Sequence, residues 1–219
     1  MSTSGTTLLS MSDRQISIPP EEFVKTVRPG EHGCIFFTRQ EDLRRLQYAY
    51  VISGLEQNMG VVYATPSEIY DNTRKTMRNY GIDIDKYEKD GSLMIVKGED
   101  IYKNGQIPDL EHSKEVVKAV VEGFLSKGKD GIRIAGDLTS YFLPRGLLME
   151  WFNLESLFER RSSLPLTVLC GYDANLIPAA KDLDIMFYYK KINKEWQNFV
   201  DAHSFAVYLS KDNNITFTI

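Results

Sequence analysis

The chain has 219 residues, a length that suits one large domain, and its 42% hydrophobic and 26% charged residues are ordinary for a folded protein. The formal net charge of −4 gives no electrostatic reason to expect nucleic acid or an anionic membrane as a partner. Apolar runs fall short of the ~20 residues that span a bilayer, and the N-terminus lacks the pattern of a secretion signal. We therefore expect a cytoplasmic protein in which Cys34 and Cys170 are reduced and buried.

Residues 1–20 are rich in serine and threonine without a sustained period, and they predict a flexible tail ahead of one domain over 21–219. Apolar runs then predict five strands, at 35–37, 60–65, 93–96, 131–135 and 166–170. Helical periodicity predicts helices over 42–55, 67–80, 110–126, 144–158 and 185–199. Residues 204–219 predict a hairpin that turns at 212–214. This order predicts an α/β fold, a mostly parallel sheet with helices on both faces and a C-terminal antiparallel hairpin.

The turn after the first predicted strand, residues 38–42 (TRQED), differs from the loop that binds phosphates in nucleotide-binding α/β proteins. Such a loop is rich in glycine and carries a lysine, whereas this turn has neither and contains two carboxylates. The turn is therefore shaped for a smaller and less anionic ligand, or for helix capping. We expect no meaningful binding of ATP or GTP.

Six segments of the chain, in order, resemble those of one known family. They are HGCIFF, SGLEQNMGVVYAT, GIDIDKYEKDGSL, GIRIAGDLTSYF, LPLTVLCGYD and DAHSFAVYLSKDNNITF. The chain is identified by them as a member of the methanogen/methylotroph DcmR sensory (MEDS) domain family, a RecA-like, KaiC-like core without a phosphate loop. The resemblance implies a non-catalytic sensory domain that binds a one-carbon or hydrocarbon-derived small molecule. Because no DNA-binding or kinase module is visible, output would pass to a partner such as a kinase or transcription regulator.

Ligands of open parallel sheets bind beyond the carboxyl ends of the strands. That rule predicts a pocket bounded by Thr38, Arg39, Thr65, Asp137, Tyr172 and Asp173. Arg39 and Asp137 are expected to pair when the pocket is empty, since each would otherwise be buried unpaired. Purely structural roles stay open for three of these residues: a cap for Asp137, a turn for Asp173 and packing for Tyr172.

Metal and catalytic sites are not expected. His32 precedes the first predicted strand and Cys170 ends the fifth, so parallel strands would hold them about 10 Å or more apart. His112 and His203 do not complete a ligand set, and Glu155 is interpreted as part of a solvated or boundary helix face. The sequence has no GxSxG, HExxH or P-loop motif, so no cofactor and no enzymatic activity are expected. The alternatives are a KaiC-like nucleotide-binding protein and a ligand-free interaction module. Assembly into a homo-oligomer stays open.

Overall fold

The computed structural model describes residues 15–101, 109–156, 163–180, 193–211 and 214–219. One eight-stranded sheet organises this part of the chain, in the order β1-β8-β7-β2-β6-β5-β3-β4. Its strands are β1 (Gln15–Ile16), β2 (His32–Phe37), β3 (Gly60–Thr65), β4 (Leu93–Lys97), β5 (Ile132–Gly136), β6 (Leu166–Asp173), β7 (Phe205–Leu209) and β8 (Asn214–Thr218). The five strands predicted from apolar runs are β2 to β6, so the predicted α/β class is confirmed.

The direction of the strands matches the prediction, including the antiparallel pairing within the C-terminal hairpin. Strands β2 to β7 are all paired in parallel, and β8 is antiparallel to β7, so the hairpin joins the sheet through a parallel contact between β7 and β2. β1 then pairs antiparallel with β8. Gln15 and Ile16 were predicted to belong to the tail but are part of the sheet, because their backbones complete the edge of β8; residues 1–14 lie outside the described residues.

The helices lie between the strands, largely as periodicity predicts. They are α1 (Pro20–Phe23), α2 (Gln40–Glu56), α3 (Tyr70–Asn79), α4 (Ile84–Lys89), α5 (Gly98–Ile101), α6 (Leu110–Leu125), α7 (Thr139–Phe142), α8 (Leu148–Ser156) and α9 (Lys194–Asp201). Pro144 lies in a separate 3₁₀ turn that ends at Gly146 (φ 76°), so α8 begins four residues later than predicted. Residues 185–192 of the last predicted helix lie outside the described residues. Among the described helices, none has the length and apolar character needed to cross a membrane.

Alternation along the strands divides the core into two layers, one on each face of the sheet. On one face, α1 to α4 form a layer over odd-numbered strand residues, among them Ile35 and Phe37 of β2 and Ile95 of β4. On the other face, α7, α8 and α9 cover Cys34 and Phe36, and α6 covers the same face of β3 and β5. Gly33 lets β7 approach closely, since a Cβ there would lie 2.1 Å from the Phe205 ring. This arrangement leaves β2 near the centre of the sheet, buried on both faces.

Candidate functional site

In the turn after β2, residues 38–42, two side chains form an ion pair with each other. Arg39 is the N-cap residue of α2, and its guanidinium donates from Nε and Nη2 to the two Asp42 carboxylate oxygens, at 2.6 and 3.0 Å. The Asp42 side chain is 4% exposed, whereas that of Arg39 is 54% exposed. The predicted pair of Arg39 with Asp137 is therefore wrong, because a carboxylate one helical turn away binds the guanidinium instead. The ion pair holds Arg39 against the first turn of α2. A carboxylate is favourable there because the N-terminus of a helix carries a partial positive charge.

Asp137, directly after β5, is buried between two helix starts. It accepts hydrogen bonds from the Gln40 amide at the start of α2 and from the Ser140 hydroxyl in α7. Burial raises the pKa of Asp137 from 3.8 to about 6, although the Ser140 and Gln40 hydrogen bonds act in the opposite direction. The contacts are those of a carboxylate that caps and connects helices.

The remaining predicted residues bond to nearby side chains and backbone. The Thr38 hydroxyl lies 3.4 Å from the Leu209 carbonyl oxygen, and the Thr65 hydroxyl lies 3.1 Å from that of Thr73. Asp173 accepts a backbone hydrogen bond from Asn175, as expected of a turn residue. The Tyr172 ring is fully buried among aromatic side chains, and its hydroxyl accepts from Trp151 Nε1 at 3.0 Å.

Thr38 and Asp173 are joined through Asn175, whose side-chain amide donates to the Thr38 carbonyl oxygen at 3.1 Å and to Asp173 Oδ1 at 2.9 Å. A ligand-binding role for Thr38, Arg39, Thr65, Asp137, Tyr172 and Asp173 stays a prediction.

A small cavity lies on the neighbouring part of the sheet, beneath α7 and α8. It measures about 30 Å³ and is lined by Ala64, Ile134, Ala135, Gly136, Leu138, Thr139, Trp151 and Cys170. The polar groups of this wall are engaged elsewhere: the Thr139 hydroxyl donates to the Gly171 carbonyl oxygen, and the Trp151 indole donates to Tyr172. The cavity therefore presents an apolar surface to whatever occupies it.

A buried ionisable cluster lies on the same face of the sheet, where the start of β2 meets α8 and α9. We call it the His32–Glu155–His203 cluster. His32 Nε2 and His203 Nε2 lie 3.1 and 4.0 Å from Glu155 Oε2. The two imidazole rings are tilted by 33° to each other, with their centroids 4.1 Å apart. The three residues are between 0% and 5% exposed. Neither Nε2 atom makes a hydrogen bond of acceptable geometry, so two buried nitrogens face a buried carboxyl group without a bonded partner.

The tautomer of His203 follows from its backbone contact. Its Nδ1 lies 2.8 Å from the Phe199 carbonyl oxygen. Because a carbonyl oxygen can only accept, Nδ1 carries the proton and Nε2 holds a lone pair. Burial, and after it the adjacent His32 ring, lowers the pKa of His203 well below 6.5, so the ring is neutral at pH 7. His203 therefore presents an electron pair to the centre of the cluster.

The two cysteines adjoin this cluster. Cys34 and Cys170 are directly opposite each other in β2 and β6, and Val168 is opposite His32. The prediction that Cys170 ends its strand is wrong, because β6 continues to Asp173. Cys170 therefore lies two residues beyond Val168, the residue that is paired with His32. The Cys170 thiol is hydrogen-bonded to the Glu155 carboxyl group; burial, and then Glu155, raises its thiol pKa well above 9.0. Cys170 thus links the cluster to the cavity.

Glu155 is the functional candidate that sequence reasoning missed. It was assigned to a solvated or boundary helix face, yet it is 5% exposed. The sequence does indicate burial of Glu155, because Glu155 lies four residues after Trp151 and residues at that spacing share one face of a helix. A carboxylate on the face of a buried tryptophan must be buried as well.

Comparison with known proteins agrees with this fold. The family model described as MEthanogen/methylotroph, DcmR Sensory domain matches residues 31–187. A structure from Pyrococcus horikoshii OT3 covers 91% of this chain and 91% of its own, with a TM-score of 0.56 and 12% identity. A KaiC-like protein from the same archaeon covers 84% of this chain and 74% of its own, with a TM-score of 0.52 and 16% identity. A search of curated proteins finds no match.

Proposed function

Because the chain belongs to the methanogen/methylotroph DcmR sensory domain family, we propose that it detects a small uncharged molecule and relays the signal without catalysis. The ligand is assigned to the cavity beneath α7 and α8. One observation carries this assignment: an apolar space of about 30 Å³ is lined by three strands and two helices, with Cys170 in its wall. The proposed setting is cytoplasmic, which suits the two free cysteines.

The size of the cavity limits the class of ligand. A space of about 10–15 Å³ in this measure holds one water molecule, so about 30 Å³ suits two or three non-hydrogen atoms. Its apolar wall favours a molecule with little or no charge, since a buried charge without a partner is costly. A one-carbon or short hydrocarbon derivative meets both conditions, and a nucleotide meets neither.

Helix α8 connects the cavity to the protein surface, so a ligand in the cavity would change that surface by moving α8. Trp151 borders the cavity, and Phe152 in the same helix stacks on Phe199 of α9 with ring centroids 4.2 Å apart. On the outer side of α8, Met149 is 42% exposed. A ligand that displaces the Trp151 ring would therefore shift α8 against α9 and change a surface that a partner protein can read. A kinase or a transcription regulator is the proposed class of partner, with no direct contact to nucleic acid or membrane.

Methyl-detected NMR tests the proposal. Methanol, ethanal and ethane are titrated into protein with ¹³C-labelled alanine and isoleucine methyl groups. We expect saturable shifts at Ala64 and Ile134, which line the cavity, and none at Ile84 in the opposite layer. Ala64→Val fills part of the cavity and should abolish the shifts. Ala49→Val, on the other face of the sheet, is the matched control and should keep them.

A ligand-free interaction module is the second candidate. It is favoured by the mutual hydrogen bonding of the carboxyl-edge residues, in which Asp137 binds Gln40 and Ser140, and Arg39 binds Asp42. In the NMR titration this module would show no saturable shift with any of the three probes. Native mass spectrometry of the purified protein would then report a partner or a homo-oligomer without a copurified small molecule.

A further inference from the structure

Three metal-ligating atoms converge inside the protein where α8, α9 and the start of β2 meet. His32, His203 and Glu155 each offer one ligand atom, and these three atoms all lie within 4.8 Å of one another. Both Nε2 atoms lie near Glu155 Oε2, at 3.1 and 4.0 Å. We propose that the His32–Glu155–His203 cluster binds one divalent transition-metal ion, with zinc the best fit. This inference does not rest on the proposed function, because none of the three side chains lines the cavity and only Cys170 adjoins both.

The geometry of the cluster suits zinc. The two Nε2 atoms lie 3.1 and 4.0 Å from Glu155 Oε2. If they are the nitrogens within 4.8 Å of each other, one point lies about 2.0–2.4 Å from all three atoms. Zinc binds imidazole nitrogen and carboxylate oxygen at about 2.0–2.2 Å. A cation of this size therefore fits with small movements of the side chains.

A cation between the three side chains would also be electrostatically favourable. His203 directs the lone pair of Nε2 towards a carboxyl group 4.0 Å away, and the two acceptors repel each other unless a positive charge lies between them. Both groups are buried, so water cannot screen the repulsion. A proton on Glu155 is the competing solution, and the experiment below separates the two.

The supporting contacts resemble those of metal centres in general. A ligating histidine usually donates its other ring N–H to a backbone carbonyl or a carboxylate, which fixes the ring and its tautomer. His203 does so through Phe199. Two imidazoles with one carboxylate leave a further coordination position, and the Cys170 thiol adjoins it through its hydrogen bond to Glu155.

Cobalt(II) is the probe, because it substitutes for zinc and is visible in solution. The full chain is stripped with a chelator, and Co²⁺ is titrated under reducing conditions. We expect one equivalent to bind with the intense visible absorption of a four-coordinate ion, and Zn²⁺ to displace it. A thiolate-to-cobalt band in the near ultraviolet would identify a cysteine as the fourth ligand, and its loss in Cys170→Ser would assign it to Cys170. Without the band, that position is left to solvent; both results keep the three-ligand site.

Matched variants locate the ion. His203→Gln and Glu155→Gln should each weaken Co²⁺ binding by at least about 100-fold, since they remove ligands rather than supporting contacts. His112→Gln is the control, because His112 is exposed on α6 and should bind as the wild type does. Circular dichroism shows whether each variant is folded. The wild type alone can overturn the proposal: no cobalt spectrum and no rise in its melting temperature with Zn²⁺ would mean that a proton, not a metal, neutralises the cluster.

Discussion

Asp137→Asn tests whether the carboxylate after β5 is held in the interior mainly as a structural link. Asp137 is 2% exposed and accepts from Gln40 and Ser140. An asparagine has almost the same shape. Its oxygen can accept from Ser140, and its amide can donate to Gln40 once that side chain turns its own amide round. The substitution therefore removes the charge and keeps the contacts.

The expected magnitude follows from the pKa of Asp137, which burial raises from 3.8 to about 6. A raised carboxyl pKa means that the folded protein binds the proton more tightly than the unfolded chain does. The stabilisation is fully present below about pH 4 and is lost as the pH rises through about 6, at about 1.36 kcal/mol per pKa unit. The asparagine variant should thus be more stable than the wild type by up to about 3 kcal/mol near pH 7.5. We expect this advantage to fall to about 1 kcal/mol near pH 4.5.

Urea unfolding of both proteins at the two pH values measures the effect. Comparing the variant with the wild type at each pH cancels the contribution of other titrating groups. His203 is one of them: its lowered pKa makes the folded protein less stable on acidification, because the unfolded chain binds the proton more readily. Asp71→Asn, an exposed carboxylate in the first turn of α3, is the control and should show no such pH dependence. If the difference between wild type and Asp137→Asn were the same at both pH values, the argument from burial would be refuted.

Three further predictions concern the nucleotide, the thiols and the aromatic layer. Isothermal titration with ATP and Mg²⁺ should show no binding up to about millimolar concentration, because Glu41 and Asp42 occupy the first turn of α2; micromolar binding would contradict this. A thiol reagent should find both cysteines unreactive in the native protein, because Cys34 is buried and the thiol pKa of the partly buried Cys170 is raised well above 9.0. After denaturation with a chelator it should find two free groups, and fewer than two would contradict the prediction. Trp151→Phe should lower the free energy of unfolding by about 1–3 kcal/mol, since Tyr172 loses its buried donor. Adding Tyr172→Phe should restore part of that loss in the same urea experiment, and a fully additive double variant would argue against the hydrogen bond.

The fold was predictable because its signals are local. The apolar runs of β3 and β5 and the period of α6 each lie within a few neighbouring residues, where spacing alone distinguishes strand from helix. Strand ends were less predictable. β6 continues past Cys170 to Asp173 because all six residues of β2 pair with residues 168–173 of β6. That pairing joins residues that are far apart in the sequence.

The candidate site was mostly not predictable, for the same reason. His32, Glu155 and His203 come from three distant parts of the chain and meet only when α8 and α9 pack on β2. Arg133 is a similar case, a charged residue in a predicted strand whose guanidinium is buried and bonded to the Tyr50 carbonyl oxygen and the Gln57 side chain. Its partners lie in and just after α2, and no spacing rule connects them to β5.

The central position of β2 has a consequence for the order in which the protein can fold during synthesis. Its two neighbours, β6 and β7, begin at Leu166 and Phe205, and the His32 backbone bonds to Ser204, 172 residues away. The apolar segment 33–37 therefore leaves the ribosome long before either neighbouring strand exists, whereas β3 and β4 can pair early. Such distant pairing slows folding and exposes an unpaired strand to aggregation. Nascent chains halted before residue 166 should depend on chaperones, and release from them should follow the synthesis of β7.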